Sequence, residues 1–391
     1  MTLAGRRVAV GICGGIAAYK MPQIIRMLLK QDCEVQAILT ANGERFAAKA
    51  TLATLTRRPV ITSLFDQTEP VSTRHIATAD WAEALLVAPA TANILAKFAC
   101  GIADDFLSTL YLSLKTPVLC APSMNTVMWE HPATQENLAI LRKRGVVIVP
   151  PASGDLACGS SGAGRLAPGK EIVFAVRKAL SPQDLAGKKM LITCGGTQEQ
   201  IDPVRVISNK STGKMGIALA IRAAERGAQV TLVHGALAQA APQYLLAVPA
   251  LSTADMAREV RTRFPKNDIL VMAAAVADFT PKTVARKKIK KQAQGLTLNL
   301  VAAQDILKEA SRKKGKRVIV GFALDSDDRA AQARKKLIEK KCDLLVANPP
   351  MAIGSETTAL TLYAKDGSAI ELGPMTKKDA AEAILDRIAA L

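Results

Sequence analysis

Aromatic residues make up only 4% of the chain, and histidine occurs three times in 391 residues. The lysine- and arginine-rich runs therefore lack the interleaved aromatics on which nucleic-acid bases stack, and no recognised nucleic-acid motif accompanies them. Nucleic acid is not an expected partner. Seven cysteines are scattered along the chain without a C-x-x-C pair. That pattern implies neither a disulfide framework nor a zinc site, and it fits a reducing compartment. No apolar run approaches the roughly 18 residues that a membrane helix needs, and the N-terminus enters a strand almost at once. A cytoplasmic protein without membrane contact is expected.

Apolar residues are plentiful at 49%, which suits helices packed on parallel sheets. The length allows two domains. The net charge is +18, and its excess gathers at Arg286-Lys287-Lys288-Ile289-Lys290-Lys291, Arg312-Lys313-Lys314 and Arg334-Lys335-Lys336. With nucleic acid the weakest candidate, such runs suit a solvated face or a polyphosphate site.

Strands are expected at 7–12, 35–39, 84–88, 117–120 and 146–149, with helices near 94–100, 105–114 and 135–144 between them. Strand and helix alternate, so the first half reads as a doubly wound α/β domain with a parallel sheet. Gly14 and Gly15 turn the first strand into a helix at Ile16. The third glycine of the dinucleotide fingerprint is missing, which argues against NAD. Free N–H groups at such a turn still suit a mononucleotide phosphate. Thr40 follows the second strand, and Ala90, Thr91 and Asn93 follow the third. Three small-polar turns at one sheet edge suggest a flavin mononucleotide site, ordinary βα turns being the alternative. After the fourth strand Pro122 marks a turn, and Asn125 lands where ligands of open α/β sheets sit.

The segments Gly14-Gly15-Ile16-Ala17-Ala18-Tyr19-Lys20, Ala88-Pro89-Ala90-Thr91-Ala92-Asn93, Pro122-Ser123-Met124-Asn125-Thr126-Val127-Met128-Trp129 and Ala157-Cys158-Gly159 through Gly164-Arg165 carry a resemblance. They are similar to the flavin-dependent cysteine decarboxylases, most closely the phosphopantothenoylcysteine decarboxylase branch. The resemblance implies a flavodoxin-like domain with FMN as cofactor. In that family the flavin oxidises the substrate thiol to a thioaldehyde, which eases loss of CO₂, and the reduced flavin then returns the hydride. Asn125 would hold the substrate carboxylate, His75 would act as base or orienter at the thiol, and Cys158 would donate a proton from a glycine-rich flap. Leu166 stands where the family has Met, and Cys13 where it has a small hydroxyl residue.

Residues 181–187 combine Pro, Gly and polar side chains and read as a linker between domains 1–180 and 188–391. The second half restarts with strands at 189–193, 229–233, 269–273, 318–320 and 343–347, a hairpin at 359–372 and a last helix from 377, a Rossmann-like α/β pattern. Gly213-Lys214 is no Walker A motif, since Met215 follows. Asp202-Pro203-Val204-Arg205, Ile207-Ser208-Asn209 with Gly213-Lys214-Met215-Gly216, Ala274 to Asp278 and Lys288 to Lys291 resemble the phosphopantothenate–cysteine ligases. With the two halves in this order, the whole chain resembles the bifunctional coenzyme A biosynthesis family.

The resemblance implies CTP-dependent joining of phosphopantothenate and cysteine through an acyl-cytidylate, with Mg²⁺ accompanying the nucleotide. The product, phosphopantothenoylcysteine, would be the substrate of the first domain. Asp278 would contact the nucleotide, Lys288 the triphosphate, and Lys336, Lys340, Phe322 and Asp305 would complete the CTP site. Asn209 would orient the acyl-cytidylate. Gly196, Gln304 and Leu324 depart from the family pattern, which leaves CTP or ATP open. Family members form dodecamers, so a homo-oligomer is implied. A flavin-binding regulatory protein, or a flavin decarboxylase with an inactive second half, are the alternatives.

Overall fold

A computed structural model describes residues 3–65, 73–155, 159, 161–291, 295–324, 329–349 and 354–391. Two compact units divide the chain, Met1–Ser181 and Pro182–Leu391, and each is a doubly wound α/β fold as expected.

In the first unit, β1 (Arg7–Ile12), β2 (Glu34–Leu39), β3 (Ala84–Ala90), β4 (Val118–Pro122) and β5 (Val147–Ile148) form a parallel sheet in the order β2-β1-β3-β4-β5. Near-continuous apolar sequence is what a sheet covered on both faces requires, and every residue of β3 and β4 is buried. The helix Met21–Leu29 turns Met21, Ile24, Ile25 and Leu28 inward. Their 3–4 spacing makes one apolar stripe, and each such side chain stabilises the fold by about 1.5–3 kcal/mol. Strand order reverses between β1 and β3, so ligands belong at the carboxyl ends of these strands.

Two details differ from expectation. β4 does not end before Pro122 but includes it, paired opposite Ala90 at the sheet's end. Proline has no N–H for the ladder; the next residue takes over, and Ser123 N–H donates to the Ala90 carbonyl at 3.0 Å. The glycine-rich stretch is not only loop, because β6 (Ala152–Asp155) pairs antiparallel with β7 (Ser161–Arg165).

In the second unit, β8 (Lys189–Cys194) is followed by the short antiparallel pair β9 (Gln198–Gln200) and β10 (Val206–Ser208). β11 (Gln229–His234), β12 (Leu246–Pro249) and β13 (Ile269–Met272) return to the main sheet. A second short pair, β14 (Phe279–Pro281) and β15 (Leu300–Ala302), stands apart. β16 (Val318–Leu324), β17 (Leu344–Asn348), β18 (Thr357–Ala364) and β19 (Ala369–Thr376) complete the order β12-β11-β8-β13-β16-β17-β18-β19. Pairing is parallel through β17 and antiparallel at the final hairpin. Residues 182–187, read as linker, belong to this unit. Leu185 is buried, and Asp184 accepts from Arg226 Nε at 2.9 Å. Among the described residues no helix is long and apolar enough to cross a membrane.

Candidate functional site

The first site lies at the carboxyl edge of β1 to β4. Gly14 packs so tightly on Asn42 that a β-carbon there would lie 2.3 Å from the Asn42 β-carbon; only glycine fits that turn. One residue on, a β-carbon built on Gly15 would stand 3.9 Å from Thr91 Cγ2, so the turns after β1 and β3 face each other. Ile16 opens the helical turn and is exposed. Thr91 caps the helix Ala92–Cys100, its hydroxyl accepting from Ile94 N–H at 3.3 Å, and Asn93 is exposed in the first turn. Ala90 is fully buried and offers this site its backbone only. Thr40 is partly buried and held in place, donating to the Ile12 carbonyl at 3.4 Å and accepting from Gly43 N–H at 3.2 Å. Cys13 is a core thiol, and burial pushes its pKa up to about 12, which keeps it neutral.

The Ser123–Ala90 bond sets the turn after β4 beside the turn after β3. Asn125 caps the short helix Thr126–Glu130, its Oδ1 accepting from Val127 N–H at 2.8 Å. β7 docks on this turn. Met124 N–H donates to the Gly164 carbonyl at 3.0 Å, and Thr126 Oγ1 donates to the Ala163 carbonyl at 2.8 Å. Sequence reasoning missed Thr126, because a hydroxyl one residue past Asn125 carries no motif signal of its own. Cys158 lies outside the described residues, between the two strands of this hairpin. His75 is the second residue of the helix Arg74–Trp81, and its Nδ1 is buried with no hydrogen-bond partner among the described residues. Lys20 is shifted downward by burial and then by the charge of Arg165, so two cations lie near each other where the hairpin begins.

The second site is a cleft of about 770 Å³ in the second unit. Asn209, Asp278, Asp305, Phe322, Lys336 and Lys340 all line it, as do Lys214, Asn348 and Lys377, which sequence reasoning did not assign. Asn209 Nδ2 donates to the carbonyls of Ala275 and Val276 at 3.3 and 3.2 Å, so its donor is committed to the segment that leads to Asp278. Asp305 caps the helix Ile306–Arg312 and pairs with Lys340. Burial lowers the Lys340 pKa, and the nearby Asp278 carboxylate opposes that shift. Lys340 N–H bonds to the Lys336 carbonyl, which continues the helix Arg329–Glu339 by a residue and keeps the two lysines on one side.

Lys288 does not line the cleft. It is exposed, in a segment held at its neighbour: Ile289 N–H donates to Asp202 Oδ2 at 3.1 Å and the Ile289 carbonyl accepts from Arg205 at 3.1 Å. The Asp202 carboxylate is buried and also accepts from Val204 and Arg205 N–H at 2.8 and 2.9 Å. Among the described residues no group of three or more His, Cys, Asp or Glu side chains is placed to hold a metal ion.

A flavodoxin-ordered sheet with small-residue turns at its ligand edge, followed by a Rossmann-like unit with a lysine-lined cleft, defines a two-domain flavoprotein enzyme. Residues 2–181 match the Flavoprotein family and residues 185–391 the DNA/pantothenate metabolism flavoprotein C-terminal domain. The chain is 43% identical to the coenzyme A biosynthesis bifunctional protein CoaBC of Bacillus subtilis, over 100% of this chain and 98% of that protein. It is also 43% identical to the protein of that name from Mycobacterium bovis, over 93% of this chain and 89% of that one. A solved C-terminal domain of a CoaBC protein is similar at 38% identity and TM-score 0.47, covering 53% of this chain and 97% of that domain. The chain belongs to the family of bifunctional coenzyme A biosynthesis enzymes.

Proposed function

We propose that the second unit joins phosphopantothenate to cysteine at the expense of CTP, and that the first unit decarboxylates and reduces the product to phosphopantetheine. The observation that supports the first-unit assignment is the Ser123–Ala90 bond, which sets the turn leading to Asn125 beside the turn expected to hold a flavin. The second-unit assignment rests on six of its expected residues meeting in one cleft.

The residues at the first site fit a bound flavin. The facing turns at Gly15 and Thr91 are too small to fill their edge, Ile16 offers an apolar surface, and a buried ring nitrogen on His75 has no hydrogen-bond partner among the described residues. Gly14, Gly15, Ile16, Ala90, Thr91 and Asn93 would hold the FMN, with Thr40 supporting the Gly43 turn behind them. When bound, FMN supplies reversible hydride transfer, which no side chain can provide. Asn125, with its Oδ1 fixed by Val127 N–H, presents its amide group toward a carboxylate. His75 would take the thiol proton on a ring nitrogen, which accepts in the neutral imidazole. Cys158, between the strands seated on Met124 and Thr126, is assigned here as the proton donor.

In the cleft, an unactivated carboxylate cannot be attacked by an amine at neutral pH. Its oxygen therefore displaces pyrophosphate from the α-phosphorus of CTP, and the cysteine nitrogen then displaces CMP from the acyl carbon. Lys336 and Lys340 stabilise the negative charge that develops on the phosphates. Asp278 and Phe322 take the nucleoside, and Asp305 holds Lys340 in place. Asn209 braces the Ala275–Val276 carbonyls and so orients the cleft segment that faces the acyl-nucleotide. Mg²⁺ in this scheme accompanies the triphosphate. A homo-oligomer is proposed on the family resemblance.

The purified protein should bind FMN with its visible absorption and convert supplied phosphopantothenoylcysteine to phosphopantetheine and CO₂. A colourless protein that takes up no FMN would overturn the first half of this proposal.

A further inference from the structure

Thr197 is fully buried behind the cleft and touches both of its lips. Its N–H donates to the Ala275 carbonyl at 3.2 Å, and its own carbonyl accepts from Ser208 Oγ, beside Asn209, at 2.8 Å. Its hydroxyl oxygen accepts from Ala277 N–H at 2.9 Å and lies 3.2 Å from the hydroxyl of Thr253.

The direction of the hydroxyl protons follows from their partners. Thr253 Oγ1 lies 2.8 Å from Glu199 Oε1, an oxygen that also accepts Thr253 N–H at 2.9 Å and so acts as an acceptor. A hydroxyl has one proton to give. Thr253 spends it on Glu199, and can only accept at Thr197. The Thr197 proton therefore points to Thr253, which leaves its lone pair for Ala277 N–H. A one-way chain results, from Ala277 N–H through Thr197 and Thr253 to Glu199. Its four residues are exposed by 7% or less, so water does not compete with it. Ala277 is bonded directly to Asp278, whose own carbonyl accepts from Ala303 N–H at 2.8 Å.

We propose that Thr197 is a positioning residue for nucleotide binding: the directed chain from Glu199 fixes the peptide before Asp278, while the Thr197 carbonyl fixes the Asn209 loop. A network satisfied at every member holds one geometry, whereas one with a missing link leaves a buried N–H without a partner and lets the turn shift. Positioning of this kind acts on affinity and alignment without contact to the ligand. The inference rests on the assignment of this cleft to CTP.

The test uses the full FMN-loaded chain and three variants. Thr197→Val keeps the shape and removes the hydroxyl, Thr197→Ser restores it, and Thr253→Val removes only the group that fixes its proton. Thr197→Val should raise the KM for CTP about tenfold, the effect of one buried N–H left unpaired, with kcat changed far less. Thr197→Ser should return the KM to within about twofold of the parent. Thr253→Val should raise the KM in the same direction by less, and it serves alone if Thr197→Val does not fold. Decarboxylation of supplied phosphopantothenoylcysteine should not change in any of them. An unchanged KM in folded Thr197→Val or Thr253→Val, or a lowered melting temperature with KM untouched, overturns the inference. Asp278→Asn separates the two levels. If it leaves CTP use intact, the nucleotide assignment falls; if it weakens CTP use while Thr197→Val does not, only the chain's role falls.

Discussion

Gly164 and Met124 meet with room for nothing larger than hydrogen. Met124 N–H donates to the Gly164 carbonyl at 3.0 Å, and a β-carbon on Gly164 would stand 2.2 Å from the Met124 carbonyl oxygen. This contact seats the strand Ser161–Arg165 on the turn that leads to Asn125, so one glycine sets how closely the two segments approach.

Gly164→Ala should therefore damage the first reaction selectively. The new methyl meets backbone, and φ of +130° at this position strains any residue with a β-carbon. A displacement of about 1 Å at reacting groups can cost about a hundredfold in rate. We expect a loss of that order in CO₂ release from supplied phosphopantothenoylcysteine, with ligation unaffected. Wild-type turnover in the variant would detach the hairpin's seat from catalysis.

Asn209→Asp replaces a donor by an acceptor that faces two carbonyl oxygens at 3.3 and 3.2 Å. Repulsion should open the Asn209 loop away from the Ala275–Val276 carbonyls. Amide formation should fall at least about tenfold, stalled at or before the acyl-cytidylate, while decarboxylation persists. Quench-flow analysis of the CTP half-reaction reads this directly, and normal amide formation would remove Asn209 from the mechanism.

Lys340 reaches the cleft through its pairing with Asp305. Lys340→Met keeps the aliphatic stem and removes the charge, so affinity for CTP should fall about tenfold or more, the range of one charge-assisted contact. Steady-state kinetics at fixed ionic strength would show it as a raised KM. A KM within twofold of the parent would place the triphosphate elsewhere.

Asp202 gives a pH signature. Burial alone would raise its pKa, but N–H donors from Val204, Ile289 and Arg205, and the Arg205 guanidinium, hold it down at about 2. Its unfolded value is near 3.9. A depressed folded value means that Asp202 stabilises the fold above about pH 4, and that this contribution is lost as pH falls toward 2. Denaturant melts of the protein between pH 5 and pH 2 should show that decline, and Asp202→Asn should flatten it. An equal slope in the variant would show that other carboxylates govern it.

The main sheets were legible in the sequence because their strands, such as Ala84–Ala90 and Ile269–Met272, are short apolar runs buried on both faces. The hairpin Ala152–Asp155 with Ser161–Arg165 was not, since Gly, Ser and Ala give no apolar alternation to read. The three-residue strands at Gln198, Val206, Phe279 and Leu300 are too short for any period to register. At the site, residues within motifs were readable, and Asn209, Asp278, Asp305, Phe322, Lys336 and Lys340 line one cleft. Lys288 stands apart from it because its segment is tied to Asp202 instead. The chain from Glu199 through Thr253 and Thr197 was invisible, since its members lie 54, 56 and 80 residues from their partners.

Both reactions are expected on this one chain, the second unit making what the first consumes. Purified FMN-loaded protein incubated with phosphopantothenate, cysteine and CTP, followed by mass spectrometry over time, tests it most directly. Phosphopantothenoylcysteine should rise and then give way to phosphopantetheine, with CMP, pyrophosphate and CO₂ in equal amounts. Phosphopantothenate left unchanged, with CTP intact, would contradict the claim.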